Sequence, residues 1–486
     1  MFHTLFTLTS TQPHAQMWIT HNPAPALICY STNQLPHAMS TTKTNSSRKP
    51  KPNAQELALA FLNATVKYKG VTLNLEDDLL YHQNEQCFYY YNSYYWKRVD
   101  DDTQGSGIMH LLTTTLISEF PNVSATRSLR RDVLDLVQLL TYRKYNQTHP
   151  SPITAFTDAL FDWTTFAFTP LNRDAYAFHA YDFPAPLLNA PTPAFDDYLR
   201  TCFPNDPHTQ TFVQQMMGYY LSPSPQPYVF FLYGKAATGK SVFLELMHQL
   251  IGPAFTSSIH LEPLTRDKFS IIGLANKKVN IVDEDESDYI NAGKLKALAS
   301  HAPTEAQKKF GQPFKFTPYT KFLFASNQFP NFKDVDGGTK RRLFFIHYSN
   351  PIPVHKQDVR LINKLRAELP GIVGKVIESA RTFYKNKQRF DESATSQRAK
   401  GLFLDHALPE IDFFSESYKT HPSRTTYTQT IYNSYRAWCS DNGKYPKNKQ
   451  NFCRILLEHF DNITTSRDRS GKRWNVVAID KTNDPR

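Results

Sequence analysis

The stretch Gly234-Lys-Ala-Ala-Thr-Gly-Lys240-Ser241 constrains this chain most. It fits the pattern G-x-x-x-x-G-K-[ST], and its flanks fit as well. The apolar run Tyr228–Tyr233 ahead of it predicts a buried strand. Behind it, Val242–Ile251 predicts an amphipathic helix ended by Gly252-Pro253. A strand, a glycine loop and a helix start in that order aim backbone N–H groups and the positive end of a helix at one point, a cradle for phosphate. The sequence therefore predicts a nucleotide site made by Gly234, Lys235, Ala236, Ala237, Thr238, Gly239, Lys240 and Ser241. Lys240 would reach the β- and γ-phosphates of ATP, and Ser241 would hold Mg²⁺.

Three later runs extend the chemistry. Lys278–Glu284 is a second apolar strand, and it ends in Asp283-Glu284 about forty residues after the loop. Such a pair suits hydrolysis: Asp283 would orient Mg²⁺, and Glu284 would take a proton from the attacking water. The neighbouring Asp285, Glu286 and Asp288 read as solvated. Lys321–Asn327 is a third strand, and the amide that ends it suits a γ-phosphate or the lytic water. Arg341 and Arg342 stand just before a fourth strand, where an arginine can stabilise a phosphoryl group, often one held by another subunit. Strands alternating with helices over 226–350 predict an α/β core.

The rest of the chain frames that core. Residues 1–55 lack Asp and Glu and read as disordered or as a mis-annotated start, with Met39 a second candidate initiator. Residues 56–225 read as a mixed, mainly helical domain with an aromatic hairpin at Phe88–Lys97; 351–420 read as a helical subdomain and linker. The last segment, 421–486, carries 12 Lys/Arg against 6 Asp/Glu, a large share of the overall +11. That excess favours a polyanionic partner, nucleic acid first. No run approaches the apolar length a membrane helix needs, so no membrane partner is expected. Five scattered cysteines without a C-x-x-C pair fit a reducing compartment and argue against a disulfide frame or zinc site.

Glycine loop, Asp-Glu strand, strand ending in Asn, then Arg-Arg, all within about 110 residues, is similar to the compact motif order of superfamily 3 helicases. In detail the chain resembles the helicase portion of the phage/plasmid and poxvirus-type primase–helicases. Gly218–Leu221, Arg266–Phe269, Gly273–Glu284, Lys294–Leu298, Pro313–Phe316 and Phe324–Pro330 carry that resemblance. Two departures stand out: the family often has Gly-Asp where this chain has His301-Ala302, and Arg where it has Gln307.

The resemblance implies an AAA+-like P-loop ATPase core, a mainly helical N-terminal domain and a C-terminal winged helix. It implies a homo-hexameric ring that hydrolyses ATP with Mg²⁺ and travels on single-stranded and forked DNA, replicating a virus, satellite or plasmid. Lys240, Asp283, Glu284 and Asn327 would be catalytic, with Arg341 or Arg342 acting in trans and Arg342 favoured. Lys308, Lys309 and Phe310 would grip DNA from a hairpin tip. In the tail, a helix with Lys447, Lys449 and Arg454 and a wing with Arg467, Arg469, Lys472, Arg473 and Trp474 would contact phosphates. Priming would need a separate primase and other replication proteins. The setting would be the host-cell cytoplasm, with nucleus or organelle left open. The rival readings are an AAA+ origin-binding or loading ATPase that does not unwind, and a P-loop kinase or metabolic NTPase.

Overall fold

The computed structural model describes residues 51–82, 87–99, 107–142, 151–285, 287, 290–307, 312–332, 335–443 and 446–479. The readings for residues 1–50, Glu286, Asp288, Lys308, Lys309 and Phe310 lie outside them. The chain divides into two units, residues 1–79 with 102–141, and residues 80–101 with 142–486.

In the first unit, helix Ala54–Leu62 is started by Asn53, whose side chain accepts from the Glu56 N–H while Glu56 returns a bond to the Asn53 N–H. A hairpin pairs Thr65–Tyr68 with Val71–Asn74. Its two turn residues, Lys69 and Gly70, both take positive φ, as a tight two-residue hairpin turn requires. Helix Ile108–Glu119 and helix Arg127–Tyr142 follow, the latter burying Val133, Val137 and Thr141 at four-residue spacing.

The second unit opens with strands. Cys87–Tyr91 pairs with Trp96–Arg98 around the Asn92-Ser93 turn, where the aromatic run predicted a hairpin. A four-stranded sheet over residues 153–180 then joins it. Over residues 56–225 helix residues still outnumber strand residues, but the strands go beyond the one hairpin predicted. These strands are two to five residues long, too short for periodicity to reveal.

A five-stranded parallel sheet forms the centre of this unit. Its order is Thr256–Ser257, Val279–Val282 (the acid strand), Lys321–Ser326 (the amide strand), Val229–Tyr233 (the loop strand) and Leu343–His347 (the last strand). Both faces are covered, so alternate residues of one strand enter different cores. Phe230 and Leu232 of the loop strand join Leu323, Ile281 and Ile346 under helices Pro207–Leu221, Lys240–Ile251 and Leu369–Lys385. Val229 and Phe231 join Phe322, Phe324 and Phe345 on the other side, with Leu295 and Phe403. Two-sided burial explains why these strands read as continuous apolar runs. The mixed α/β class with a parallel sheet is therefore as expected.

Two lysines are held inside this fold. Lys278 and Lys321 begin the acid and amide strands and donate to the last carbonyls of helix Pro207–Leu221: Lys278 to Leu221, Lys321 to Tyr219 and Ser222. No helix N–H follows to pair with those carbonyls, although the Ser222 hydroxyl also donates to Tyr219, so each lysine acts as a C-terminal cap. Burial lowers Lys278 to about 7 and Lys321 well below its usual range. The unfolded chain then binds protons that the folded chain has released, so stability rises with pH in this window. Urea midpoints should climb between about pH 7 and pH 9, by at most about 1.4 kcal/mol per pH unit for each group. Lys278→Met should flatten the climb; an unchanged slope in that variant would count against the assignment.

Among the described cysteines, Cys87, Cys202 and Cys439 are buried and Cys453 is half-buried. Among the described residues no helix is long and apolar enough to cross a membrane.

Candidate functional site

All five sheet strands are parallel, so their carboxyl ends share one edge, where open α/β sheets hold ligands. The glycine loop leaves the loop strand there. Gly234 has φ +146°, and a Cβ on it would lie 2.1 Å from the Tyr348 carbonyl oxygen, so only glycine fits. Gly239, at φ +97°, starts helix Lys240–Ile251, and a Cβ there would meet the Cys202 Sγ at 2.7 Å. The loop is braced from outside: Tyr198 donates to the Gly239 carbonyl at 3.1 Å, and the Ile352 N–H donates to the Ala237 carbonyl at 2.8 Å. Thr238 is buried and donates to the Lys235 carbonyl at 3.0 Å, whereas Lys235, Ala236, Ala237 and Ser241 are exposed. Among the described residues, nothing accepts from the N–H groups of residues 235–239. These donors, together with a helix start, are what a phosphate needs.

Lys240 lies across this loop. Its ammonium donates to the carbonyls of Gly234 at 2.6 Å and Lys235 at 2.7 Å, and to the Asn327 Oδ1 at 3.0 Å. The strand order explains the third bond, because the amide strand is the direct neighbour of the loop strand and ends one residue before Asn327. One strand further on, Asp283 and Glu284 end the acid strand, both exposed. Burial lowers the Lys240 pKa, while the charges of Asp283 and Glu284 oppose that shift. The four residues are thus one electrostatic group. Glu284 also takes φ +51°, which costs a non-glycine residue of order 1–3 kcal/mol.

Asp285 corrects the solvated reading. It is buried, accepts from the Leu261 and Ser287 N–H groups at 2.8 and 3.0 Å, and so anchors helix Leu261–Arg266 to the acid strand.

The two arginines lie on the opposite edge. The Val229 N–H donates to the Arg342 carbonyl, and the last strand runs in register with the loop strand from Leu343↔Val229 to His347↔Tyr233. About 16 Å of strand therefore separates them from the glycine loop. Arg342 donates to the Gly338 carbonyl at 2.7 Å and to the Ser300 Oγ at 3.1 and 3.3 Å. Arg341 is exposed, and its guanidinium has no hydrogen bond or ion pair among the described residues. Between the two, Arg341 is the one left available. The turn that carries them is capped by Asp336. Burial alone would raise this carboxyl, yet Lys296 at 2.6 Å and two bonds from Thr339 at 2.7 Å hold it well below its usual range.

Near the hairpin Thr304–Gln307/Pro313–Phe316 an open groove of about 740 Å³ is lined by Arg266, Lys268, Phe269 and Lys294 among others. Phe269 is 47% exposed, with the Lys268 ammonium 5.9 Å from its ring centre. In the sequence the run Arg266–Phe269 carried part of the resemblance but no role of its own.

The tail contains helices Pro409–Ser417, Thr428–Asp441 and Lys449–His459 and the three strands Thr426–Tyr427, Gly471–Trp474 and Thr465–Asp468, a helix-and-wing arrangement whose core draws in Phe413 and Phe414, upstream of residue 421. Two of its readings need correction. Lys447 precedes the helix and pairs at 3.3 Å with Glu410, a fully buried carboxylate, so it holds the domain together. Trp474 is completely buried in the tail core and is no part of an exposed wing. Lys449 donates to Gln429 at 2.8 Å, Arg454 pairs with Glu458 at 3.2 Å, and Arg473 pairs with Asp468 at 2.6 Å over the Tyr427 ring. Arg467, Arg469 and Lys472 are exposed.

Comparison with known proteins adds the following. Residues 232–342 match a family of unknown function (DUF5906), and residues 409–484 match a family described as poxvirus D5 protein-like. No curated protein matches. Among solved structures, the chain is similar to the apo structure of the NrS-1 C-terminal region, at 12% identity and a TM-score of 0.42, over 89% of this chain and 100% of that one. It is likewise similar to the A-form apo structure of the same region, at 13% identity and a TM-score of 0.41, over 83% and 96% of the two chains. The match over residues 409–484 is thus to a poxvirus D5 protein-like family, in line with the poxvirus-type primase–helicases that the motifs resemble.

Proposed function

We propose that this chain is an ATP-dependent DNA helicase with an AAA+-like P-loop core, working as a homo-hexameric ring on single-stranded and forked DNA of a virus, satellite or plasmid. The observation that carries the reading is the bonding of Lys240 to Asn327 beside Asp283 and Glu284. That group brings a phosphate-binding cation, a polar amide and two acids to one loop, as ATP hydrolysis requires.

The residues fit ATP and Mg²⁺. Among the described residues no cluster of three or more His, Cys, Asp or Glu could hold a metal by itself. This suits Mg²⁺, which binds through one or two carboxylates plus substrate phosphates. Bound there, it would neutralise phosphate charge as the γ-phosphoryl group leaves. Ser241 and Asp283 would hold it, Lys240 and the free N–H groups would hold the phosphates, and Glu284 would accept the water's proton. Arg341 would complete the site of a neighbouring subunit, since it stands a strand's length from its own loop. Lys308, Lys309 and Phe310, together with the groove holding Lys268 and Phe269, would track the single strand by phosphate contact and stacking.

Glu284→Gln should retain ATP binding and lose turnover by on the order of 10²–10⁴-fold. A fluorescent ATP analogue and a phosphate-release assay read the two separately. Strand separation on forked DNA, driven by ATP and absent in this variant, tests the helicase reading. Active hydrolysis without separation would favour the loading ATPase instead.

A further inference from the structure

We propose that the tail meets duplex DNA through the hairpin Thr465–Asp468/Gly471–Trp474 and not through helix Lys449–His459. The inference rests on the reading of the protein as one that acts on DNA.

The helix is enclosed. Only Gln450, Glu458 and His459 of its residues are exposed. Phe452 and Leu456 fill the tail core. Ile455 points elsewhere, into the core beneath the parallel sheet with Phe403, Leu408 and Ile411. Its cations are engaged too: Lys449 with Gln429 and Arg454 with Glu458. Glu458 and Arg454 also act electrostatically on Lys340, on the short helix Gly337–Lys340 next to Arg341. A helix that reads a major groove must present an exposed polar face some helix-width across. Undocking this one would expose Ile455 and break its contacts with the ATP-binding half of the unit.

The hairpin has the opposite character. Residues 464–470 are all exposed, and so is Lys472. Asp468, its one acid, accepts from the Ser470 and Gly471 N–H groups and pairs with Arg473 at 2.6 Å, so its charge is balanced within the turn. Arg467, Arg469 and Lys472 form no ion pair or side-chain hydrogen bond among the described residues. Moreover, Arg467 and Lys472 stand directly opposite each other in the ladder. Like charges so placed destabilise a hairpin, and an anionic ligand relieves that repulsion. A two-stranded ribbon fits a duplex groove, where these cations would contact phosphates on either side.

The test uses the full chain and a dumbbell duplex closed at both ends, which offers no free strand end. Binding is titrated against salt for the unchanged chain, for Arg467→Ala/Arg469→Ala/Lys472→Ala, and for Lys449→Ala/Arg454→Ala. The hairpin variant should lower the salt slope by about three, one per phosphate contact, and weaken binding by at least about tenfold. The helix variant should leave both unchanged. An unaltered thermal transition in the hairpin variant shows that its fold is intact. The proposal is overturned if the helix variant takes the loss instead, or if single-stranded DNA displaces the dumbbell at equal concentration. Failure of the unchanged chain to bind the dumbbell would instead sink the DNA reading of the tail.

Discussion

Gly234→Ala is expected to abolish nucleotide binding and to destabilise the parallel-sheet unit. The added Cβ would sit 2.1 Å from the Tyr348 carbonyl oxygen and 2.9 Å from its carbon, backbone atoms that cannot swing aside as a side chain could. Tyr348 is itself pinned, since its N–H donates to the Tyr233 carbonyl at 2.7 Å. Relief therefore requires the last strand to part from the loop strand at its carboxyl end. The φ of +146° adds strain of order 1–3 kcal/mol for any residue with a Cβ. Together the effects should cost several kcal/mol and lower the melting temperature by roughly 2–4 °C for each kcal/mol. A thermal melt and binding of a fluorescent ATP analogue measure both. Ala236→Gly, at an exposed loop position, is the matched control and should retain binding. A Gly234→Ala protein that melts and binds like the unchanged chain would show that the loop is not built as described.

Lys240→Ala should reduce ATP hydrolysis by on the order of 10²–10³-fold or more, the usual loss when a charge-stabilising group is removed from a phosphoryl site. The ammonium links two loop carbonyls to the amide strand, so its removal also frees Asn327. Stability should change less than activity, because water can reach the Lys235 carbonyl and Asn327, leaving the buried Gly234 carbonyl as the main loss. Phosphate release at saturating ATP checks the first effect and chemical denaturation the second. Large destabilisation without loss of turnover would reverse the roles assigned here.

Much of this was legible in the sequence because the decisive elements are local. The glycine loop, its strand and its helix occupy one contiguous run, and each parallel strand appears as an apolar stretch because both of its faces are buried. What escaped depends on partners far away in sequence. From the sequence Arg342 reads as the better candidate, yet its guanidinium is bonded to Ser300 and the Gly338 carbonyl. Lys447 looked like a phosphate contact, yet Glu410 takes its charge. Asp285 looked like one acid among several, and only the fold sets it under the Leu261 N–H. The tail helix had the pattern of a recognition helix, but Ile455 packs into the core beneath the parallel sheet. No window of sequence contains those pairs.

In the proposed ring, the glycine loop is one half of a site whose other half, Arg341, comes from a neighbouring subunit. Mixing tests it most directly. Lys240→Ala and Arg341→Ala proteins should each be inactive alone in DNA-stimulated ATP hydrolysis. In a ring built from head-to-tail interfaces, random mixing of the two leaves roughly a quarter of the interfaces with an intact loop facing an intact arginine. An equal mixture should therefore recover a substantial part of the unchanged activity. No recovery on mixing, or full activity in Arg341→Ala alone, would contradict a shared site.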